Sequence, residues 1–486
     1  MNKGSHAMRN EMLDTRQVKV SAGAKPARRR ATTRRRRPKG VPRLWTRFRL
    51  LLWSWWLWAG LAVLALLLDR SYTALGLAVA AVVVYMVAPR ERAPTYGLDH
   101  DFAIESEEFL NTVVGATGAP FFAGNSLEVY NNGDEFYPAM LEAVESARVS
   151  ITIEAYIYWA GHIGERFAEA LARKARAGLP VKILLDAVGS STIGDDILKV
   201  LEDGGCQVEW YRPLRWYSLN RINNRTHRKS LVVDGKVGFT GGAGIADHWM
   251  GDAEDERHWR DIQVRVEGPA VATIQTGFAR GWLETTGELV SGTDYYPAPE
   301  EAGRLDVQSI LSSPQTGSST VRIMYYMAIM CARKSVLIAN PYFIPDNVAI
   351  DILVEAARRG VDVKVMVSGV HNDIKLARIN ARRLYGRLLE AGVKIYEYNR
   401  TMLHHKYMVC DGMWATVGTT NFDNRSFGLN DEHNLCVYDA AVAREFEQIF
   451  ARDLDDCDRV ELEAWRSRGV AAKAVERLAS LLKEQI

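Results

Sequence analysis

His227-Arg-Lys229-Ser-Leu-Val-Val-Asp234-Gly235 returns 177 residues later as His404-His-Lys406-Tyr-Met-Val-Cys-Asp411-Gly412. Both read H-x-K-x-x-x-x-D-G, and each runs on into a small-residue segment: Gly241-Gly242-Ala243-Gly244 in the first copy, Gly418-Thr419-Thr420-Asn421 in the second. A single match of this length is weak evidence; two in register within a duplication are strong. The flanks repeat as well. RKARAGLPVKILL from Arg173 aligns with EAARRGVDVKVMV from Glu355, and GCQVEWY from Gly205 aligns with GVKIYEY from Gly392. The period is domain-sized, so the repeat is two α/β halves and not a solenoid. Within it, Val149–Tyr158 and Ser335–Ile344 are predicted strands, as are Val181–Leu185 and Val363–Val367. Glu165–Ala177 and Ile350–Arg359 have helical spacing and end at Gly178 and Gly360.

Strand geometry gives the motif its chemistry. Residues i and i+2 share a face, so His227 lies beside Lys229, and His404 beside Lys406. An imidazole can serve as nucleophile or proton carrier near neutral pH. A neighbouring ammonium supplies fixed charge for phosphate oxygens. Two such pairs facing each other across a pseudo-twofold axis suit phosphodiester chemistry. Asp234 and Asp411 complete the motif and count among the candidate catalytic residues. Their strand parity is opposite to the histidines', however, and Asp-Gly is a hairpin signal, so a turn-forming role stands equally. Asn421 either caps the helix begun by NFDNRSF or donates its amide to phosphate. His405 should point away from His404. His162, His248, His258 and His433 have no partner in the repeat.

The 486 residues exceed one ordinary core, and 48% hydrophobic with 25% charged residues excludes a chain disordered throughout. The five cysteines are scattered without a CxxC pair, which argues against a disulfide scaffold or zinc ribbon. The net charge of +2 is local in origin: twelve Lys or Arg and no acid lie between Lys25 and Arg49, and the remainder carries 49 basic against 59 acidic residues. Two uncharged stretches follow, Leu50–Leu68 and Tyr72–Ala88, with Trp53, Trp55, Trp56 and Trp58 near the start of the first. They predict a membrane hairpin that leaves the basic tail and everything beyond Arg90 on the cytoplasmic side, where anionic headgroups attract the tail. The predicted organisation is a basic tail over 1–49, the transmembrane hairpin over 50–92 and a linker over 93–125. Two α/β domains follow over 126–300 and 301–460, then a C-terminal amphipathic helix over 461–486.

The doubled motif, each copy followed by its Gly-rich loop, resembles the phospholipase D superfamily over about residues 126 to 460. HRKSLVVDG, HHKYMVCDG, WRDIQVRVEGPAV from Trp259, NPYFIP from Asn340 and NFDNRSFGLNDEHNL from Asn421 look like the bacterial cardiolipin synthases within it. The resemblance implies two pseudo-symmetric phospholipase D-like α/β/α sandwich domains and a phosphohistidine mechanism with no metal or other cofactor. It implies a bacterial inner-membrane phosphatidyltransferase that joins two molecules of the anionic lipid phosphatidylglycerol into cardiolipin and releases glycerol. Its partners would be that lipid and the bilayer, with no nucleic acid. It further implies His227 as nucleophile, His404 as general acid then base, and Lys229, Lys406 and Asn421 as phosphate ligands. Each histidine would be oriented by a carboxylate of the opposite half, Glu432 for His227 and Asp261 for His404. Gly244 departs from the pattern, which places Asn there. A hydrolase, or a transferase with another alcohol acceptor, would use the same residues. A nuclease would share the motifs but needs a basic groove, and an inactive membrane scaffold would not need all six motif residues.

Overall fold

The computed structural model describes residues 54–68, 70–87, 97–98, 101–213, 223–313 and 319–479. The basic tail expected over 1–49 lies outside the described residues.

Among the described residues, fifteen strands join in one sheet. In the first half, Ile151–Ala155, Val181–Asp186 and Gln207–Tyr211 run parallel, linked by helices His162–Arg176 and Asp195–Asp203. The VKILLD strand is buried throughout, as a central parallel strand covered on both faces requires. On its other side Ile151–Ala155 pairs with antiparallel Ser230–Val233, then come Val237–Gly241, Ile262–Glu267 and Phe121–Asn131. The second half repeats this order: Ser335–Ala339, Asp362–Ser368 and Lys394–Tyr398 are parallel, and Tyr407–Cys410, Trp414–Gly418, Glu432–Tyr438 and Leu305–Ser312 continue antiparallel. The halves join where Phe121–Asn131 pairs antiparallel with Leu305–Ser312, placing Phe122 opposite Val307.

Each half has its own apolar core, and a third cluster is shared. In it Val264 and Ile274 of the first half pack with Val307, Leu337, Val409 and Leu435 of the second. A continuous sheet and a shared core fix the halves against each other, which a site built from both demands.

The ladders are shorter than the β-rich runs suggest. They stop at Ala155 and Ala339, because the chain leaves the sheet there to build the rim around the carboxyl ends of the parallel strands. Within the expected linker over 93–125, helix Glu107–Thr117 is capped by Ser106, whose side chain accepts the Phe109 N–H, and a sheet strand begins at Phe121. The first domain therefore starts before residue 126. The expected single C-terminal helix is broken at 467–469 into Leu462–Arg466 and Val470–Ala479, and Trp465 packs on Gly386.

Ahead of the sheet, helices Trp55–Leu67 and Ser71–Val87 form a hairpin. Ala62, Ala65, Ala74 and Ala81 are buried, while Leu64, Leu67, Leu75 and Val79 face outward. Among the described residues no helix is long and apolar enough to cross a membrane.

Candidate active site

The two histidine segments lie just ahead of their strands, Ser230–Val233 and Tyr407–Cys410, and each is pinned to the opposite half. Thr226 bridges Asp431, and the His227 N–H donates to the Asp431 carbonyl at 2.9 Å. Leu403 bridges Arg260, and the His404 N–H donates to the Arg260 carbonyl at 2.8 Å. Both segments are thus held extended, with the i, i+2 relation intact. The Lys229 ammonium donates to the His227 carbonyl at 2.9 Å, and the Lys406 ammonium lies 3.2 Å from His404 Nε2.

The backbone pairing places each histidine beside a carboxylate of the other half. His227 Nδ1 is 3.1 Å from both oxygens of Glu432. His404 Nδ1 is 2.7 Å from Asp261 Oδ2. Fixing Nδ1 in this way leaves Nε2 as the reactive nitrogen of each ring. Glu432 also accepts the Thr419 hydroxyl at 2.5 Å, and Asp261 accepts the Ile262 N–H at 2.8 Å. All of these side chains are buried.

Asp234 and Asp411 fall elsewhere, so their place in the catalytic set is corrected. Six residues of extended chain, roughly 20 Å, separate each from its histidine. Both adopt a left-handed conformation (φ 55°) ahead of an equally left-handed glycine, which makes the tight turn into the next strand. Asp234 accepts the N–H groups of Arg148, Val149 and Ser150, and Asp411 those of Arg333, Lys334 and Ser335. Each carboxylate ties a hairpin to the start of the first parallel strand.

Asn421 does not cap the following helix; Asp423 does, accepting the Ser426 N–H at 2.7 Å. Asn421 is buried, and its Oδ1 has no hydrogen-bond partner among the described residues. Its loop adjoins Thr419 and hence the Glu432 dyad. His405 points to the other side, as its parity requires, onto Tyr407 (rings 4.9 Å apart) and 3.8 Å from Asp453. His433 bonds Ser309 at 2.7 Å inside the sheet, and His258 pairs with Asp255 at the surface.

Four neighbours of the histidines were not among the candidate site residues. The Tyr156 ring lies 5.1 Å from His227 and 5.3 Å from the Lys229 ammonium. Trp249 and Trp259 pack 5.3 and 5.4 Å from His404. Thr419 holds Glu432. Thr419 was recoverable from its place beside Asn421 in the Gly-rich loop, Trp259 from the head of the WRDIQVRVEGPAV stretch and Tyr156 from its match to Tyr342 in the repeated strands, whereas Trp249 was not.

Burial sets the electrostatics. It pushes His227 down to about 4 against the pull of Glu432, and His404 down to about 3 with the added charge of Lys406. It also lowers Lys229 to about 7 and Lys406 to about 8; for Lys229 the facing Lys406 charge adds to the effect. Burial opposes ionisation of Asp261 and Glu432, but the histidines and lysines around them hold both below the usual carboxylate range. The site therefore holds two neutral imidazoles between ionised carboxylates and two easily titrated ammoniums. An unprotonated imidazole can act as a nucleophile, and two neighbouring ammoniums can hold phosphate oxygens.

A duplicated α/β sheet with one His/Lys pair from each half, each histidine backed by a carboxylate of the other, defines a phospholipase D-type protein. The family model described as "Cardiolipin synthase, PLD-like domain" matches residues 140–282 and 325–454. The chain is 34% identical over 368 residues to a cardiolipin synthase of Geobacillus sp. (strain WCH70), covering 75% of this chain and 73% of that one. It is 35% identical over 354 residues to a cardiolipin synthase 2 of Bacillus anthracis, covering 72% and 69%. The chain belongs to the cardiolipin synthase, PLD-like domain family. Among solved structures, a phosphatidylserine synthase of Haemophilus influenzae Rd KW20 shares the fold, with a TM-score of 0.61 and 16% identity over 78% of this chain and 100% of that one.

Proposed function

We propose that this protein is a cardiolipin synthase that transfers a phosphatidyl group from one phosphatidylglycerol to another. The observation that carries the chemistry is the pair of cross-half dyads, His227 with Glu432 and His404 with Asp261. In the first step His227 Nε2 attacks phosphorus, the bond to the glycerol oxygen breaks, and protonated His404 gives that oxygen its proton. The phosphodiester monoanion offsets Lys229 and Lys406 on binding, which returns His404 toward protonation. In the second step a hydroxyl of the other phosphatidylglycerol loses its proton to His404 and attacks phosphorus. The bond to His227 breaks, leaving both histidines as they began. Lys229, Lys406 and the Asn421 amide stabilise charge on the phosphoryl oxygens.

The hairpin is proposed as the membrane anchor, with the basic tail and the sheet domains on the cytoplasmic side. Its outward residues are apolar, and the uncharged sequence continues from the described helix back to Leu50. Tryptophans at its start suit a bilayer interface.

The test is mass spectrometry of lipids after the purified protein meets phosphatidylglycerol. Cardiolipin and glycerol in equal amounts, absent with His227→Ala, are expected. Phosphatidic acid as the sole product would assign water as acceptor and make the protein a hydrolase.

A further inference from the structure

The Gly-rich segment of the first half differs from its counterpart at three positions, Gly242 for Thr419, Ala243 for Thr420 and Gly244 for Asn421. The two glycines have steric causes. A Cβ on Gly242 would lie 2.2 Å from Asp261 Oδ1. A Cβ on Gly244 would lie 2.7 Å from the Ile157 carbonyl oxygen and 3.2 Å from the Trp249 ring. The first loop thus closes directly on its carboxylate, with no room for the hydroxyl that Thr419 offers Glu432. Asp261 still has a side-chain donor. The Trp249 indole N–H donates to Asp261 Oδ2 at 2.9 Å.

Trp249 comes from the single turn Asp247–Trp249 and is fully buried. Its ring lies 5.3 Å from His404 and 4.9 Å from Trp259, in the space that a longer residue at 244 would claim. Asp261 Oδ2 therefore takes both the His404 and the Trp249 hydrogen bond, while Oδ1 takes the Ile262 N–H. We propose that Trp249 is a positioning residue of the His404–Asp261 dyad, its indole N–H orienting the carboxylate as the Thr419 hydroxyl orients Glu432. The two donors are not equivalent. A hydroxyl rotates and can also accept, whereas an indole N–H only donates along a direction fixed by the packed ring. The His404 dyad is consequently held in one orientation while a proton passes through it twice per turnover. This rests on the two-histidine reading given above.

The test uses the full chain in detergent micelles and bis(p-nitrophenyl) phosphate as substrate. Trp249 is replaced by β-(3-benzothienyl)alanine, which keeps the ring shape and has no N–H. A roughly tenfold fall in kcat with KM within about twofold is expected, the scale of losing a partner that orients an active-site ligand. In an Asp261→Asn background the same replacement should change kcat by less than about twofold, because the indole acts through that carboxylate. Trp249→Phe, smaller but also lacking the donor, should show the same cancellation. Full kcat in the benzothienyl variant, or an undiminished tenfold loss in the Asp261→Asn background, would overturn the proposal. Cardiolipin formation by the unsubstituted protein is scored separately, so a wrong lipid acceptor leaves this phosphodiesterase readout intact.

Discussion

Asp411→Ala separates the fold from the chemistry within one repeated motif. The Asp411 carboxylate is buried and accepts three N–H groups, from Arg333 at 2.8 Å, Lys334 at 2.7 Å and Ser335 at 2.9 Å. Alanine strands these donors and must also adopt φ 55°, where an Asp is better tolerated. Water can reach some of the stranded groups, so about 1 kcal/mol for each of two bonds, plus a smaller conformational cost, gives roughly 2–3 kcal/mol. If each half unfolds as a unit of ordinary domain size, the thermal midpoint falls by roughly 5–8 °C. Asp411→Asn keeps one acceptor oxygen and the left-handed preference, and should lose about half as much. The assay pairs differential scanning fluorimetry of the detergent-solubilised protein with kcat measured well below the transition. Expected is a lowered midpoint with kcat within about twofold. An unchanged midpoint with kcat reduced a hundredfold would refute the turn role and restore Asp411 to the catalytic set.

Raising the pH should weaken phosphate binding, because lysines lowered to about 7 and about 8 lose charge as pH climbs through those values. KM for a phosphodiester should rise several-fold between pH 7 and pH 9, and less in Lys406→Arg, whose guanidinium does not titrate there; a flat KM in the unsubstituted protein would contradict the assignment. Thr419→Val removes the hydroxyl donor to Glu432 and should lower kcat roughly tenfold with little effect on the thermal midpoint; unchanged kcat would show that Glu432 needs no such support. For the anchor, Ser71→Cys in a background freed of native cysteines should be the position labelled from outside intact cells, and labelling beyond residue 90 would reverse the topology.

Sequence legibility followed the repeat. Anything present twice could be read: the alternation of strands and helices, the His/Lys pairs, and the parity that turns His405 away from His404. The cross-half carboxylates Asp261 and Glu432 were reachable only through family resemblance, because no local pattern links a histidine to a residue 205 or 143 positions away. What occurs once stayed hidden. Phe121–Asn131 is a central strand at the seam, yet its first residues, FFAGN, mix Gly and Asn into the apolar run and read as the end of a linker. Trp249 reaches Asp261 from a three-residue turn whose sequence gives no hint of its direction. Gly244 is visible in sequence as a missing amide, but only the packing shows which ring takes that space.

The covalent step is tested most directly by trapping it. His404→Ala lacks the acid for an alkoxide leaving group but not for p-nitrophenol, so a p-nitrophenyl phosphodiester should load this variant and release one equivalent of p-nitrophenol. Peptide mapping should then place an acid-labile, base-stable phosphoryl group on His227, and His227→Ala should carry none. A label on His404 in the unsubstituted protein would exchange the two roles. Full phosphatidyl transfer by the His227→Ala, His404→Ala double variant would contradict the two-histidine mechanism itself.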